Sequence, residues 1–327
     1  MTSADKIIQS MRSKDSLLCV GLDPEPEKVP VFLLNKACKE FSDPNEAMAH
    51  ALLEFLIPIL DAVAPYASAV KPQSAFYERY GHYSIWVLEQ VIQRAHVLGL
   101  PVILDAKRGD GGPTADAYAD AYLGKNPYWD LASQSFMRAE GPLRVEALTI
   151  QPYLGDACLM PFMDRAKEFG TCPIVVTKSS FKPNSFVEML DVSGEESREK
   201  LWQAVARRVA SFTEGTEGVE GYVHSAVVMG ATYPEDTPRM RDILKNALFL
   251  VPGYGAQGGG ADGAVVGTDP KGLGCMINSS RGILYAYRDG EYKDLEENFS
   301  IAAGKAAKAA KDDLNAALVR AGKHPHS

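Results

Sequence analysis

The sequence is short of cysteine and has no long apolar run. Its five cysteines, Cys19, Cys38, Cys158, Cys172 and Cys275, are odd in number and scattered, with no C-x-x-C pair. That pattern excludes a disulfide framework and reads as reduced thiols in a cytoplasmic protein, mostly filling the core. No stretch approaches the roughly 20 apolar residues of a membrane span. The segment Met1 to Met11 is polar, with Asp5 and Lys6, and lacks the apolar centre of a signal peptide. The six histidines, His50, His82, His96, His224, His324 and His326, show no metal-ligand spacing. No zinc, iron or flavin motif occurs, so neither a metal nor a cofactor is expected. Positive charge is also scarce: 34 Lys and Arg stand against 42 Asp and Glu, for a net charge of -8. The basic residues form no cluster, which argues against nucleic acid or an anionic membrane as partner.

What the chain does have is core. Of its 327 residues 46% are hydrophobic, enough for one large unit, since (β/α)8 barrels run to about 250 residues or more. Short apolar, β-branched runs recur at Leu17 to Leu22, Ala67 to Val70, Pro101 to Leu104, Ala147 to Ile150, Pro173 to Thr177, Ser225 to Met229, Ala247 to Val251 and Gly274 to Ile277. Stretches with helical apolar spacing, such as Ala47 to Ala64 and Tyr83 to Leu98, separate most of them. Strands alternating with helices predict a parallel sheet, and eight such units predict a single-domain (β/α)8 TIM barrel spanning residues 1–327. Residues 181–220 are longer and more charged than a plain strand-to-helix connection and are read as an insertion on the barrel rim. Residues 302–327 read as a terminal amphipathic helix and tail on the outer ring. Trp86, Trp129 and Trp202 read as core or interface anchors.

The chemistry concentrates in Val102-Ile-Leu-Asp-Ala-Lys-Arg-Gly-Asp110, where an apolar strand runs straight into Asp105, Lys107 and Asp110. Side chains alternate along a strand, which puts Asp105 and Lys107 on one face, the inner face of a barrel. A structural ion pair closing the barrel mouth is the bland reading. Against it, charges are seldom buried unless paired, and catalytic residues of such barrels gather at the C-terminal strand ends. Lys71 ends the preceding strand, Ala67-Ser-Ala-Val-Lys-Pro-Gln73, so neighbouring strands place it beside Asp105 and Lys107. Near the other end of the chain, Pro252-Gly-Tyr-Gly-Ala-Gln-Gly-Gly-Gly260 is a glycine-dense loop after the seventh strand, and Arg281 follows the eighth. In phosphate-using barrels these loops form the phosphate cradle, glycines exposing N–H groups and arginine gripping two oxygens. The alternative for Gly258 to Gly260 is a flexible linker.

At these residues the sequence resembles a known family. Asp105, Lys107 and Asp110 match the D-x-K-x-x-D signature of orotidine 5'-phosphate decarboxylases, in the form of their longer bacterial branch. Val20-Gly-Leu-Asp-Pro24, Val70-Lys-Pro-Gln73, Gln151-Pro-Tyr-Leu-Gly155, Val251-Pro-Gly-Tyr-Gly-Ala-Gln257 and Asn278-Ser-Ser-Arg-Gly282 agree in order. The resemblance covers about residues 15 to 287. It implies a cofactor-free enzyme that removes CO2 from orotidine monophosphate, in the pathway to uridine monophosphate. By the same resemblance Asp23 hydrogen-bonds a ribose hydroxyl, and Lys71 pairs with Asp105 and reaches the ribose. Asp105 lies against the substrate carboxylate, and Lys107 delivers a proton to C6 of the pyrimidine. Asp110, followed by Thr114, crosses a dimer interface to complete the partner's site. Ser179 bonds the pyrimidine edge, with Ser180 its rival. Pro252 and Gly253 belong to the phosphate loop, Gln257 bridges phosphate and base, and Arg281 binds phosphate. Asp116, Tyr118 and Tyr122 fall at helical spacing where they would support the dimer contact.

The chain departs from the family at Gly111-Gly-Pro-Thr114, where Ile-Gly-x-Thr is usual, and at Gln151, where asparagine is usual. Three other readings share the scaffold. A magnesium-dependent sugar-phosphate decarboxylase or synthase expects an acidic ligand where this chain has Lys71. A Schiff-base aldolase needs a lysine of depressed pKa, which flanking aspartates oppose. A phosphate-ligand sensor would keep the fold without turnover.

Overall fold

The eight apolar runs form eight parallel strands in the computed structural model, which describes residues 1–181, 186–193, 198–255, 258–288, 290–293 and 295–323. They are β1 (Leu18–Leu22), β2 (Ala69–Pro72), β3 (Ile103–Arg108), β4 (Ala147–Ile150), β5 (Cys172–Lys178), β6 (Ala226–Met229), β7 (Leu248–Val251) and β8 (Cys275–Ser279). Ladders join β1 to β2 and every consecutive pair from β3 to β8, and β8 returns to β1. Between β2 and β3 the seam is made by two bridges, Val70 with Val102 and Gln73 with Asp105. The sheet thereby forms a nearly closed ring, and helices wrap it as in a TIM barrel. Every residue of β1, β2, β4, β6 and β7 is buried. Packed on both faces, these strands read as continuous apolar runs instead of alternating ones.

The outer ring shows why its helices form where they do. Pro44–Val63 starts at Asp43, whose carboxylate accepts from the N–H groups of Asn45 and Glu46, with proline in the first turn. It buries Leu52, Phe55, Leu56, Ile59 and Leu60 in the main apolar core. The C-terminal helix Phe299–Arg320 packs across it, and Gly304 lets the two backbones approach: a Cβ there would meet the Ala62 carbonyl at 3.1 Å.

Some elements escape a reading by apolar pattern. The polar N-terminus is the helix Ser3–Lys14, with Thr2 and Asp5 forming a reciprocal cap and Ile7, Ile8 and Met11 buried. An antiparallel ribbon, Asn126–Asp130 with Ser135–Ala139, stands out after the helix Gly112–Leu123. It exposes Trp129 and Phe136, whose rings meet edge to face. Trp202, by contrast, is buried in the core. Within residues 181–220, the short pair Asp191–Ser193 and Arg198–Lys200 precedes the helix Leu201–Thr213, which packs on β5. No helix among the described residues is long and apolar enough to cross a membrane.

Candidate active site

The C-terminal strand ends open on a cleft of about 640 Å³ whose lining includes Asp23, Lys71, Asp105, Lys107, Ser179 and Arg281. Lys71 on β2 is buried, its Nζ 3.0 Å from Asp105 Oδ2 and 3.7 Å from Asp23 Oδ1. Lys107 Nζ donates to the other Asp105 oxygen at 2.6 Å, and the Thr149 hydroxyl donates to that same atom at 2.8 Å. Burial alone would raise the Asp105 carboxyl. The Lys71 and Lys107 ammoniums, with the hydrogen bonds from Lys107 and Thr149, outweigh it and hold the group well below the usual carboxylate range. Burial likewise works against the Lys71 charge, and Asp105 and Asp23 overcome it, pushing that ammonium above the usual lysine range. Asp105 is thus a fixed anion between two cations.

Asp105 and Lys107 meet, but not through strand alternation. The β3 to β4 register shifts between Leu104 and Arg108, and Lys107 adopts φ of 46°, the left-handed region. That conformation costs an L-residue about 1–2 kcal/mol. The Lys107 N–H donates to Thr149 Oγ1 at 2.9 Å, so one threonine touches both residues. Nothing in the sequence singled it out, since Thr149 sits inside an ordinary apolar strand.

Beyond β5 the cleft is lined by Ser179 and Ser180. Ser179 Oγ is buried without a hydrogen-bond partner among the described residues. Its N–H is taken by both oxygens of Glu188 at 3.0 Å. Beneath lies Lys178, wholly buried, with Glu188 at 4.0 Å, Asp236 at 3.9 Å and the Tyr233 ring centre at 4.1 Å. Gly230 passes so close that a Cβ would stand 2.6 Å from the Ser179 carbonyl oxygen. Sequence reasoning missed Lys178 and Glu188. Lys178 had a signal, a lysine ending an apolar strand as Lys71 does, whereas Glu188 had none.

At the remaining side, Pro252, Gly253, Asn278 and Arg281 line the cleft. Arg281 is exposed, with no carboxylate at ion-pair distance among the described residues. In the glycine loop, the N–H groups of Gly255, Gly258 and Gly259 donate to the carbonyls of Gly259, Gly255 and Gly253, so these three are engaged within the loop itself. Gln257 lies outside the described residues. Asp23 Oδ1 and Asn278 Oδ1 are buried with no hydrogen-bond partner among the described residues.

Asp110 and Thr114 do not line this cleft. Asp110 Oδ1 accepts from the Gly111 N–H at 2.7 Å, and Thr114 is exposed in the first turn of Gly112–Leu123. The unusual Gly111-Gly112-Pro113 begins that helix: Gly112 takes φ of 57° and Pro113 fills its first turn.

Fold and cleft together define a barrel enzyme with a charged mouth. Residues 16–292 match the model of the Orotidine 5'-phosphate decarboxylase / HUMPS family, and the chain belongs to that family. It is 36% identical to the orotidine 5'-phosphate decarboxylase of Rhodopirellula baltica over 93% of this chain and 92% of that one. The enzyme of the same name from Caldicellulosiruptor bescii is 32% identical over 96% and 98%. Among solved structures, OMP decarboxylase of Leishmania donovani superposes with a TM-score of 0.70 at 29% identity, covering 98% of this chain and 100% of that one.

Proposed function

We propose that this chain is a carboxy-lyase that converts orotidine 5'-monophosphate to uridine 5'-monophosphate in pyrimidine biosynthesis, using no metal or organic cofactor. The observation that carries the reading is the row of Lys71, Asp105 and Lys107 in the cleft, with Lys71 and Asp105 buried and the more exposed Lys107 lining the cavity. Loss of CO2 from C6 leaves an electron pair on a ring carbon with no adjacent carbonyl to spread it. A fixed cation is worth most as that charge forms. Lys107 supplies the cation and then the proton: the C6–carboxylate bond breaks, its electron pair stays on C6, and an ammonium proton closes the C6–H bond. Asp105 holds both lysines in place. Its negative charge also faces the substrate carboxylate, and two carboxylates at ~4 Å repel by roughly 4 kcal/mol at an effective dielectric near 20.

The rest of the cleft divides by chemistry. Asp23 and Lys71 serve the ribose hydroxyls, a role supported by Asp23 Oδ1, which accepts no hydrogen bond among the described residues and lies 3.7 Å from Lys71 Nζ. The Ser179 hydroxyl, without a hydrogen-bond partner among the described residues, serves the pyrimidine edge. Arg281, with Pro252, Gly253 and Gln257, serves the phosphate. Asp110 and Thr114 complete the site of a second copy in a homodimer, a role supported by their absence from the lining of their own cleft. A cytoplasmic location is supported by four buried, unpaired cysteines. The magnesium-dependent relatives on this scaffold are disfavoured because Lys71, an ammonium paired with Asp105 and Asp23, stands where they would need an acidic ligand.

Loss of orotidine monophosphate absorbance with purified protein, with and without EDTA, tests the reading. Turnover unchanged by EDTA is expected. Turnover abolished by EDTA would move the chain to the metal-dependent branch, and a folded chain that binds the nucleotide without turnover would make it a sensor.

A further inference from the structure

Thr149 belongs to none of the family motifs found in the sequence, yet its hydroxyl lies between two residues of the reacting centre proposed above, and the inference rests on that proposal. It is fully buried on β4. A hydroxyl has one proton to give and lone pairs to accept with. Here the proton goes to Asp105 Oδ1 at 2.8 Å, and the Lys107 N–H points at the oxygen from 2.9 Å. Lys107 Nζ returns to that same Asp105 oxygen at 2.6 Å. The result is a closed ring in which the backbone and the side-chain tip of one lysine are tied together through Asp105 and one hydroxyl.

The ring forms where the sheet itself gives no support. Regular β3 to β4 pairing is interrupted between Leu104 and Arg108, and Lys107 within that gap has left-handed backbone geometry. A non-glycine residue persists in such a conformation only when its surroundings over-determine it. The Thr149 oxygen is the acceptor that the interrupted ladder does not provide for the Lys107 N–H. We infer that Thr149 is a positioning residue for the decarboxylation: its hydroxyl holds the left-handed turn at Lys107, and so the place of its ammonium, while fixing the orientation of the Asp105 carboxylate. Thr149 sits in the cleft wall but is fully buried, so it acts through Lys107 and Asp105.

Three chains test this: wild type, Thr149→Val and Thr149→Ser, each measured for kcat and KM with orotidine monophosphate and for melting temperature. Valine keeps the shape and removes the hydroxyl, so kcat is expected to fall at least tenfold while KM stays within about threefold. Serine restores the hydroxyl and is expected to bring kcat back to within about threefold of wild type. A residue that only filled space would show the reverse order, valine better than serine. Wild-type kcat in Thr149→Val, or a loss that serine does not restore, overturns the inference. If the valine chain fails to fold, Thr149→Cys replaces it, with turnover again expected at least tenfold below serine; equal turnover in the two overturns the inference. An inactive wild type removes the parent proposal and this inference with it. An active wild type with an unaffected valine variant removes only the inference.

Discussion

Two buried carboxylates, one at each end of the barrel, are built from similar parts and differ in where those parts come from. At the mouth, Asp105 is paired by Lys71, itself buried, and by Lys107, both from strand ends that line the cleft. At the bottom, Glu146 precedes β4 and accepts from Lys6 Nζ at 3.2 Å and the Val102 N–H at 3.1 Å, with His96 Nε2 at 3.0 Å. Burial would raise its carboxyl; His96, the Val102 N–H and Lys6 together bring it down to about 2. Lys6 and His96 are about as exposed as Lys107 at the mouth, but they come from outer helices instead of strand ends. Glu146 thus spends its charge stitching two helices and the start of β3 together. A buried, paired carboxylate is therefore no mark of a catalytic site by itself. Position decides, because the N-terminal face of such barrels serves stability and the C-terminal face serves chemistry.

Substitutions at the two ends should separate these roles. The largest effect is expected for Lys107→Ala: steady-state assay should show kcat reduced by about a thousandfold or more, since the local cation and the proton donor vanish together. Next, mixing inactive Lys107→Ala with inactive Asp110→Ala chains should restore up to about a quarter of wild-type turnover. Random pairing gives hybrids in half of the dimers, and each hybrid holds one intact site. No recovery despite demonstrated subunit exchange would place Asp110 outside a shared site.

The smallest effect on turnover, none, is expected for Glu146→Gln, which should instead lose about 1–3 kcal/mol of stability at pH 7 by denaturant titration. The sign follows from its lowered folded-state pKa. The ionised glutamate stabilises the fold above the ordinary carboxylate range, and that advantage is lost as pH falls from about 4.5 toward about 2. The stability gap between wild type and Glu146→Gln should close over that acid range.

The same contrast explains what the sequence could reveal. Strands were legible because burial on both faces leaves uninterrupted apolar runs, as in Leu248–Val251. Lys71, Asp105 and Lys107 were legible because a charge at the end of such a run is conspicuous. Thr149 was not, for a threonine in a strand is unremarked until its hydroxyl is seen to bridge Asp105 and Lys107. Glu188 was not, because it comes from a charged segment with no apolar period and meets Ser179 only through folding. The ribbon carrying Trp129 and Phe136 was missed because it buries no face. The glycine loop was read for its composition, but its hydrogen bonds run inward, which composition does not disclose.

The most direct test of the account is one assay on two variants, Lys107→Ala and Glu146→Gln, with kcat for orotidine monophosphate and melting temperature taken from the same preparations. The account predicts that Glu146→Gln melts earlier and keeps wild-type kcat, while Lys107→Ala stays folded and loses turnover. Substantial decarboxylation by Lys107→Ala, or a loss of kcat in Glu146→Gln as deep as that in Lys107→Ala, would contradict it.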